Sequence, residues 1–182
     1  MAGRLHGRKV AVLATDGVEQ VELLEPAKAL KRNGVQAEIV SNKAKEIQGF
    51  NHIEKGYKIR VDRTLGEAKS DDYDALMLPG GVINPAMLRL DPTAIDFVRS
   101  GKPVAAICHG PWTLIDAGGV KGKKMTSWPS LRTDLSHAGA HWRDESVVTD
   151  NGLVTSRKPD DIPAFVHKMI EEFAEGRHSA TT

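Results

Sequence analysis

Cysteine is almost missing from this chain: Cys108 is the only one among 182 residues. That excludes an intrachain disulfide, a Cys-x-x-Cys redox motif and a cysteine-rich zinc site. A charge of one sign is missing too. Lys plus Arg number 25 and Asp plus Glu 24, for a net charge of +1. A dedicated nucleic-acid binder usually carries a basic excess, so no clear nucleic-acid binding is expected. No stretch approaches the roughly 20 apolar residues of a membrane span. The run Val10 to Ala14, behind the polar and basic Met1 to Lys9, is too short for a signal-peptide core. A cytoplasmic protein without a membrane partner is expected. Neither Gly-x-Gly-x-x-Gly nor Gly-Lys-Ser/Thr is present, and no cofactor is expected. His137 and His141 are four apart, but Gly139 lies between them and no third ligand is evident. They read as surface histidines, with no metal.

What is present fits an ordinary folded chain, 40% hydrophobic and 27% charged, which excludes wholesale disorder. The length favours one domain, with a core over about 9–175 and flexible ends at 1–8 and 176–182. Lys9 to Ala14 reads as a buried strand, Val18 to Lys31 as a helix closed by Asn33-Gly34, and Ala37 to Ser41 as a second strand. This βαβ opening implies a parallel sheet. A short strand pair is expected around Gln48-Gly49-Phe50 and Tyr57 to Val61. Asp74 to Leu78 and Pro103 to Ile107 are further buried strands. Helices are expected over Thr93 to Ser100 with Asp91 as N-cap, from Trp112 to Ala117, and over Ser130 to Ala138. Asp150-Asn151-Gly152 marks a hairpin within Glu145 to Ser156. Pro159-Asp160-Asp161 opens a last helix with Ile162, Phe165, Val166, Met169, Ile170 and Phe173 on one face. The fold class is α/β: a three-layer αβα sandwich around a mostly parallel sheet.

The chemistry centres on Cys108. An apolar strand runs into Cys108-His109-Gly110-Pro111 and a helix follows. That strand–turn–helix is a nucleophile elbow, familiar with serine. The helix N-terminus favours a thiolate, predicting a pKa below the free value of about 8.5. Sites in open parallel sheets lie beyond the carboxyl ends of the strands, where Asp16 to Glu22, Gly80-Gly81 and Thr126-Ser127-Trp128 also converge. Backbone N–H groups of Gly80, Gly81 and His109 could form an oxyanion hole. An inert core cysteine is the alternative; the elbow context favours a reactive thiol. Glu19 and Glu22, taken alone, read as a solvated acidic first turn. Gly118-Gly119 with Lys121, Lys123 and Lys124 reads as a solvated basic loop. Trp112 reads as core, while Trp128 and Trp142 fit either core or pocket.

Ala105-Ala106-Ile107-Cys108-His109-Gly110-Pro111 resembles the nucleophile motif of the DJ-1/PfpI superfamily, within the class I glutamine-amidotransferase-like fold. Asp16 to Leu23 resembles that family's acidic segment, Leu78-Pro79-Gly80-Gly81 its glycine pair and Val154 to Asp161 its C-terminal signature. The Cys-His form is similar to the PfpI-like branch. The resemblance implies Cys108 as nucleophile, His109 as general acid/base and Glu22 beside the sulfur as a protonated carboxyl. It implies Gly81 and His109 amides in the oxyanion hole and Glu19 as a second acidic candidate. It also implies a stress-response enzyme, glyoxalase- or deglycase-like, acting on small reactive carbonyls or glycated protein. The alternatives are a PfpI-like intracellular cysteine peptidase and a non-enzymatic redox sensor or chaperone-like protein with an oxidisable Cys108. A homodimer or higher homo-oligomer is implied as well. One departure bears on peptidase chemistry: Ala86 stands where the resemblance implies an acid that reaches the Cys-His pair of a neighbouring subunit, and no acid follows until Asp91. Glutamine amidotransfer is not expected, since it needs a synthetase partner and a separate catalytic His-x-Glu, which is not expected here.

Overall fold

A computed structural model describes residues 5–176. In chain order its elements are β1 (Lys9–Leu13), β2 (Val18–Glu19), α1 (Gln20–Arg32), β3 (Gln36–Ser41), β4 (Glu46–Asn51), β5 (Glu54–Arg60), β6 (Arg63–Thr64) and β7 (Ala75–Leu78). They continue with α2 (Ile83–Leu88), α3 (Pro92–Val98), β8 (Val104–Ile107), α4 (Pro111–Asp116), β9 (Lys124–Met125), α5 (Arg132–His137), β10 (His141–Trp142), β11 (Val148–Asp150), β12 (Leu153–Ser156) and α6 (Ile162–Glu175).

The central sheet has the order β11-β12-β8-β7-β1-β3-β6. Every pairing in it is parallel except β11 with β12. Its inner strands β1, β7 and β8 are apolar on both faces, as a doubly covered parallel sheet requires. Ala11, Leu13, Leu76, Leu78, Val104 and Ala106 pack toward α2 to α5. The alternate residues, Val10, Val12, Ala75, Met77, Ala105 and Ile107, pack toward α1 and α6. A one-residue slip would exchange these two sets, so the pairing register is fixed by the core. The three-layer αβα reading therefore holds. A small second sheet, β2-β4-β5, stands beside the main one, with β4 and β5 as an antiparallel hairpin.

Several local expectations shift. The helix expected from Val18 begins at Gln20, because Val18 and Glu19 pair with Gly49 and Phe50 instead. Pro26 lies inside α1, where it removes the N–H that would reach the Glu22 carbonyl. Ser130 to Ala138 divides into a 3₁₀ turn at Pro129–Leu131 and the shorter α5. Leu5 is 1% exposed and joins the core, so packing begins ahead of residue 9 rather than behind a loose end. Residues 1–4 and the tail Arg177 to Thr182 lie outside the described residues. Among the described residues, no helix is long and apolar enough to cross a membrane.

Candidate active site

Cys108 leaves β8 with φ of +62°, a conformation that costs an L-residue on the order of 1 kcal/mol or more. Surrounding hydrogen bonds hold it there. Its N–H donates to the Ser156 carbonyl at 3.0 Å, and its carbonyl accepts from Trp128 N–H at 2.9 Å. The chain turns at once: Gly110 N–H donates to the Ile107 carbonyl at 2.9 Å. A Cβ on Gly110 would lie 2.5 Å from the Leu78 carbonyl oxygen, so only glycine fits this turn. Pro111 then opens α4.

Glu22, on the first turn of α1, is 0% exposed. Its Oε1 accepts the Gly80 N–H at 3.1 Å, while Oε2 is buried with no satisfactory hydrogen-bond partner. The Cys108 side chain is the other polar group beside this carboxyl. Burial, reinforced by the negative charge of Glu19, raises the Glu22 carboxyl to about 8. The protonated form also resolves the unpartnered oxygen, since an O–H can be directed at sulfur. The solvated acidic turn read from Glu22 alone is therefore wrong.

Burial pushes the Cys108 thiol up, and an ionised Glu22 pushes in the same direction. The backbone N–H groups of His109 and Gly81 oppose this by donating to the sulfur. The expected lowering by a helix N-terminus does not dominate, because α4 is only six residues long and the sulfur sits in the core. His109 Nδ1 lies 3.2 Å from Cys108 Sγ. Burial lowers its imidazole to about 4, so it is neutral at pH 7 and able to accept the thiol proton. Its ring stacks on Trp128 at 6.0 Å and meets the edge of Trp112 at 5.3 Å.

The structure brings Cys108, His109, Glu22 and Glu19 together around one cavity of about 480 Å³, with Gly81 in its wall. Gly80 is a correction: its N–H is committed to Glu22 and is not available to an oxyanion. Gly80 matters through space instead, since a Cβ there would lie 2.7 Å from Cys108 Cβ. Glu19 is buried, and its carboxylate accepts the His52 N–H at 3.1 Å. Trp142 donates to Ser127 Oγ at 3.0 Å and does not line the cavity. Ala86 lies on α2, and among the described residues no carboxylate hydrogen-bonds His109.

Two contributors escape the sequence reading. Asn84, buried on α2, accepts Thr15 N–H at 2.8 Å and donates to the Pro79 and Gly80 carbonyls at 3.1 Å. It locks the glycine pair. The tip of the β4–β5 hairpin brings Phe50, His52 and Ile53 to the cavity. His52-Ile53-Glu54 is a His-x-Glu triplet that the motif reading passes over, although Glu54 is exposed and stays outside the cavity. Among the described residues no group of three His, Cys, Asp or Glu could hold a metal ion.

A sequence profile described as the DJ-1/PfpI family matches residues 8–172. The chain is 42% identical to YraA of Bacillus subtilis (strain 168), provisionally named a cysteine protease, over 90% of this chain and 96% of YraA. It is 40% identical to the protein named Deglycase PfpI from Pyrococcus furiosus, over 90% of this chain and 98% of that protein. Its structure is similar to Drosophila melanogaster DJ-1beta, with a TM-score of 0.83, 29% identity and coverage of 92% of this chain and 90% of that one.

Proposed function

The chain belongs to the DJ-1/PfpI family, in its PfpI-like branch, and from that premise we propose that it is a cysteine-dependent enzyme acting on reactive carbonyls. Its substrates are small 2-oxoaldehydes or their early adducts on protein side chains, in the manner of a glyoxalase or deglycase. One observation carries this reading: Cys108 Sγ sits 3.2 Å from a neutral imidazole, beside a raised carboxyl, at the floor of an open cavity.

In the proposed step Cys108 Sγ attacks the carbonyl carbon. The S–C bond forms as the thiol proton passes to His109 Nδ1 and the C=O π pair moves to oxygen. A base of such low pKa takes the proton only as the bond forms. Backbone N–H groups of Gly81 and His109 meet the oxyanion, which then takes the proton back to give a thiohemiacetal. The former aldehyde hydrogen then moves to the adjacent carbon as a proton, and the thiohemiacetal hydroxyl proton passes to that carbon's oxygen, which gives a 2-hydroxy thioester. Hydrolysis with one water releases the 2-hydroxy acid and restores the thiol, with no external oxidant. Glu22 is a positioning residue that presents a proton to sulfur, and Glu19 supports it by charge.

The test is methylglyoxal consumption matched to lactate formation. Cys108→Ser is expected to abolish turnover, and His109→Ala to lower it by about 10²–10⁴-fold. Equal rates in wild type and Cys108→Ser would overturn the reading. A peptidase reading has the name of YraA behind it. Ala86 weighs against it, because a histidine without an acidic orienter is a weaker base. Casein turnover that disappears in Cys108→Ser would favour it. Redox sensing would instead show as a stable singly oxidised Cys108 with no carbonyl turnover.

A further inference from the structure

Resting on that carbonyl reading, we infer that the cavity selects uncharged carbonyl compounds bearing an apolar or aromatic substituent. The selecting walls are Trp128 and the hairpin tip that Glu19 anchors. Size is the first argument. About 480 Å³ lies in the range of sites for drug-sized ligands, and a three-carbon ketoaldehyde leaves most of it unfilled. The lining beyond the reacting groups is apolar: Phe50, Ile53, Val82, Ile83 and Trp128. Ile53 is 93% exposed and Trp128 38%. Large apolar side chains held open at a cavity mouth gain by covering an apolar group.

Charge is the second argument. Among the described residues that line the cavity there is no Lys or Arg, whereas Glu19 and Glu22 are both present. Burial keeps His109 neutral, leaving His52 as the one lining imidazole at the mouth. A carboxylate or phosphate entering here loses water and gains no cationic partner. The nearby lysines Lys43, Lys55 and Lys58 line a separate cavity behind Gly17, Phe50 and Ile83. Lys43 and Lys58 are ion-paired there with Asp16 and Glu46.

The hairpin tip is also built in place. Glu19 accepts the His52 N–H, and the neighbouring Gln20 Oε1 accepts the Tyr57 N–H at 2.7 Å. His52 takes φ of +59°, which fixes the turn that presents Ile53. The start of α1 therefore positions Glu22 against sulfur and the hairpin against substrate together.

The test reads the cavity without requiring turnover. Cys108 is modified at one fixed pH by iodoacetamide, by iodoacetate and by N-benzyliodoacetamide. Rates come from intact mass and are divided by those of glutathione with the same reagents. The normalised preference for the benzyl reagent over iodoacetate is expected to reach about tenfold or more, the worth of burying one ring. Ile53→Ser and Trp128→Ala should each lower the benzyl-to-iodoacetamide ratio several-fold. Glu19→Ala should do the same, with Glu19→Gln, which keeps an acceptor for His52, losing less. Ile53 is a surface position, so its variant keeps the test valid if Trp128→Ala fails to fold. A normalised ratio near one, a preference for iodoacetate, or a ratio unmoved by Ile53→Ser would overturn the inference. An intact benzyl preference without methylglyoxal turnover would support the inference while removing the proposed reaction. Turnover without the preference would overturn the inference alone.

Discussion

Glu22 holds a proton that the unfolded chain releases, and stability must register it. The carboxyl is ordinary at about 4.5 when unfolded and reaches about 8 in the fold. Between these values the native state binds more proton than the unfolded state. The stabilisation is complete below about 4.5 and is lost as pH rises through 8, an effect on the order of a few kcal/mol. His109 acts in another window: with its pKa lowered to about 4, it costs stability only as pH falls below about 6.5. Urea unfolding at pH 6.5 and 8 isolates Glu22. Wild type is expected to lose stability over that step and Glu22→Gln to lose clearly less; matching slopes would remove the protonated carboxyl from the site. The turn that carries Cys108 and His109 between β8 and α4 is legible in sequence because it is local, made by a strand, a glycine and a proline in succession. The protonation of Glu22 is not, because an acidic first turn reads alike whether solvated or buried. The use of the Gly80 amide and the upward push on the thiol are hidden for the same reason. Each depends on what the fold packs against the residue.

Among the elements, the turn into α4 has little room. A methyl on Gly110 would press on the Leu78 carbonyl oxygen, which cannot rotate away as a side-chain end could. Gly110→Ala is therefore expected to destabilise by about 1–3 kcal/mol. Any survivor should alkylate at Cys108 at an altered rate, because the turn aims the sulfur. An unchanged urea midpoint would mean that β7 and β8 yield easily and that the elbow is not rigid. The inner strands β1, β7 and β8 are readable because each is a short apolar run ending in a turn signal. The failures are short elements. β2 forms because Val18 and Glu19 find partners on β4, a long-range pairing no local window contains. α2 opens as Ile83-Asn84-Pro85 and lasts six residues, too few for a helical period to show. Yet α2 carries Asn84, which locks the glycine pair, so the omission conceals a supporting residue of the site.

At the scale of the whole molecule, the sheet gathers groups from distant parts of the chain at one end. Cys108 and His109 follow β8, Gly80 and Gly81 follow β7, Glu19 ends β2 and Glu22 lies on the first turn of α1. The same end leaves apolar surface uncovered. Val82, Ile83, Met87 and Leu90 are each about half exposed or more, Leu90 at 75%. All four lie on or beside α2. Monomeric proteins rarely leave contiguous apolar patches larger than a few hundred Å² in water. A second copy of this chain is the occupant we propose for the part of that face outside the cavity, at Met87 and Leu90, in line with the self-association implied by the family resemblance. Light scattering on a sizing column at micromolar concentration is expected to give at least twice the 19.8 kDa of one chain. Met87→Lys with Leu90→Lys should shift the mass toward 19.8 kDa, since two ammonium groups cannot be buried unpaired in such a contact. Their own structural cost should be small, because both side chains already face solvent. A wild-type protein that runs as a monomer would remove the second copy. An oligomer indifferent to both lysines would move the interface to another face. If the lysines separate the copies and also slow Cys108 alkylation, the cavity depends on its neighbour for shape, and α2 is the element that couples assembly to the thiol.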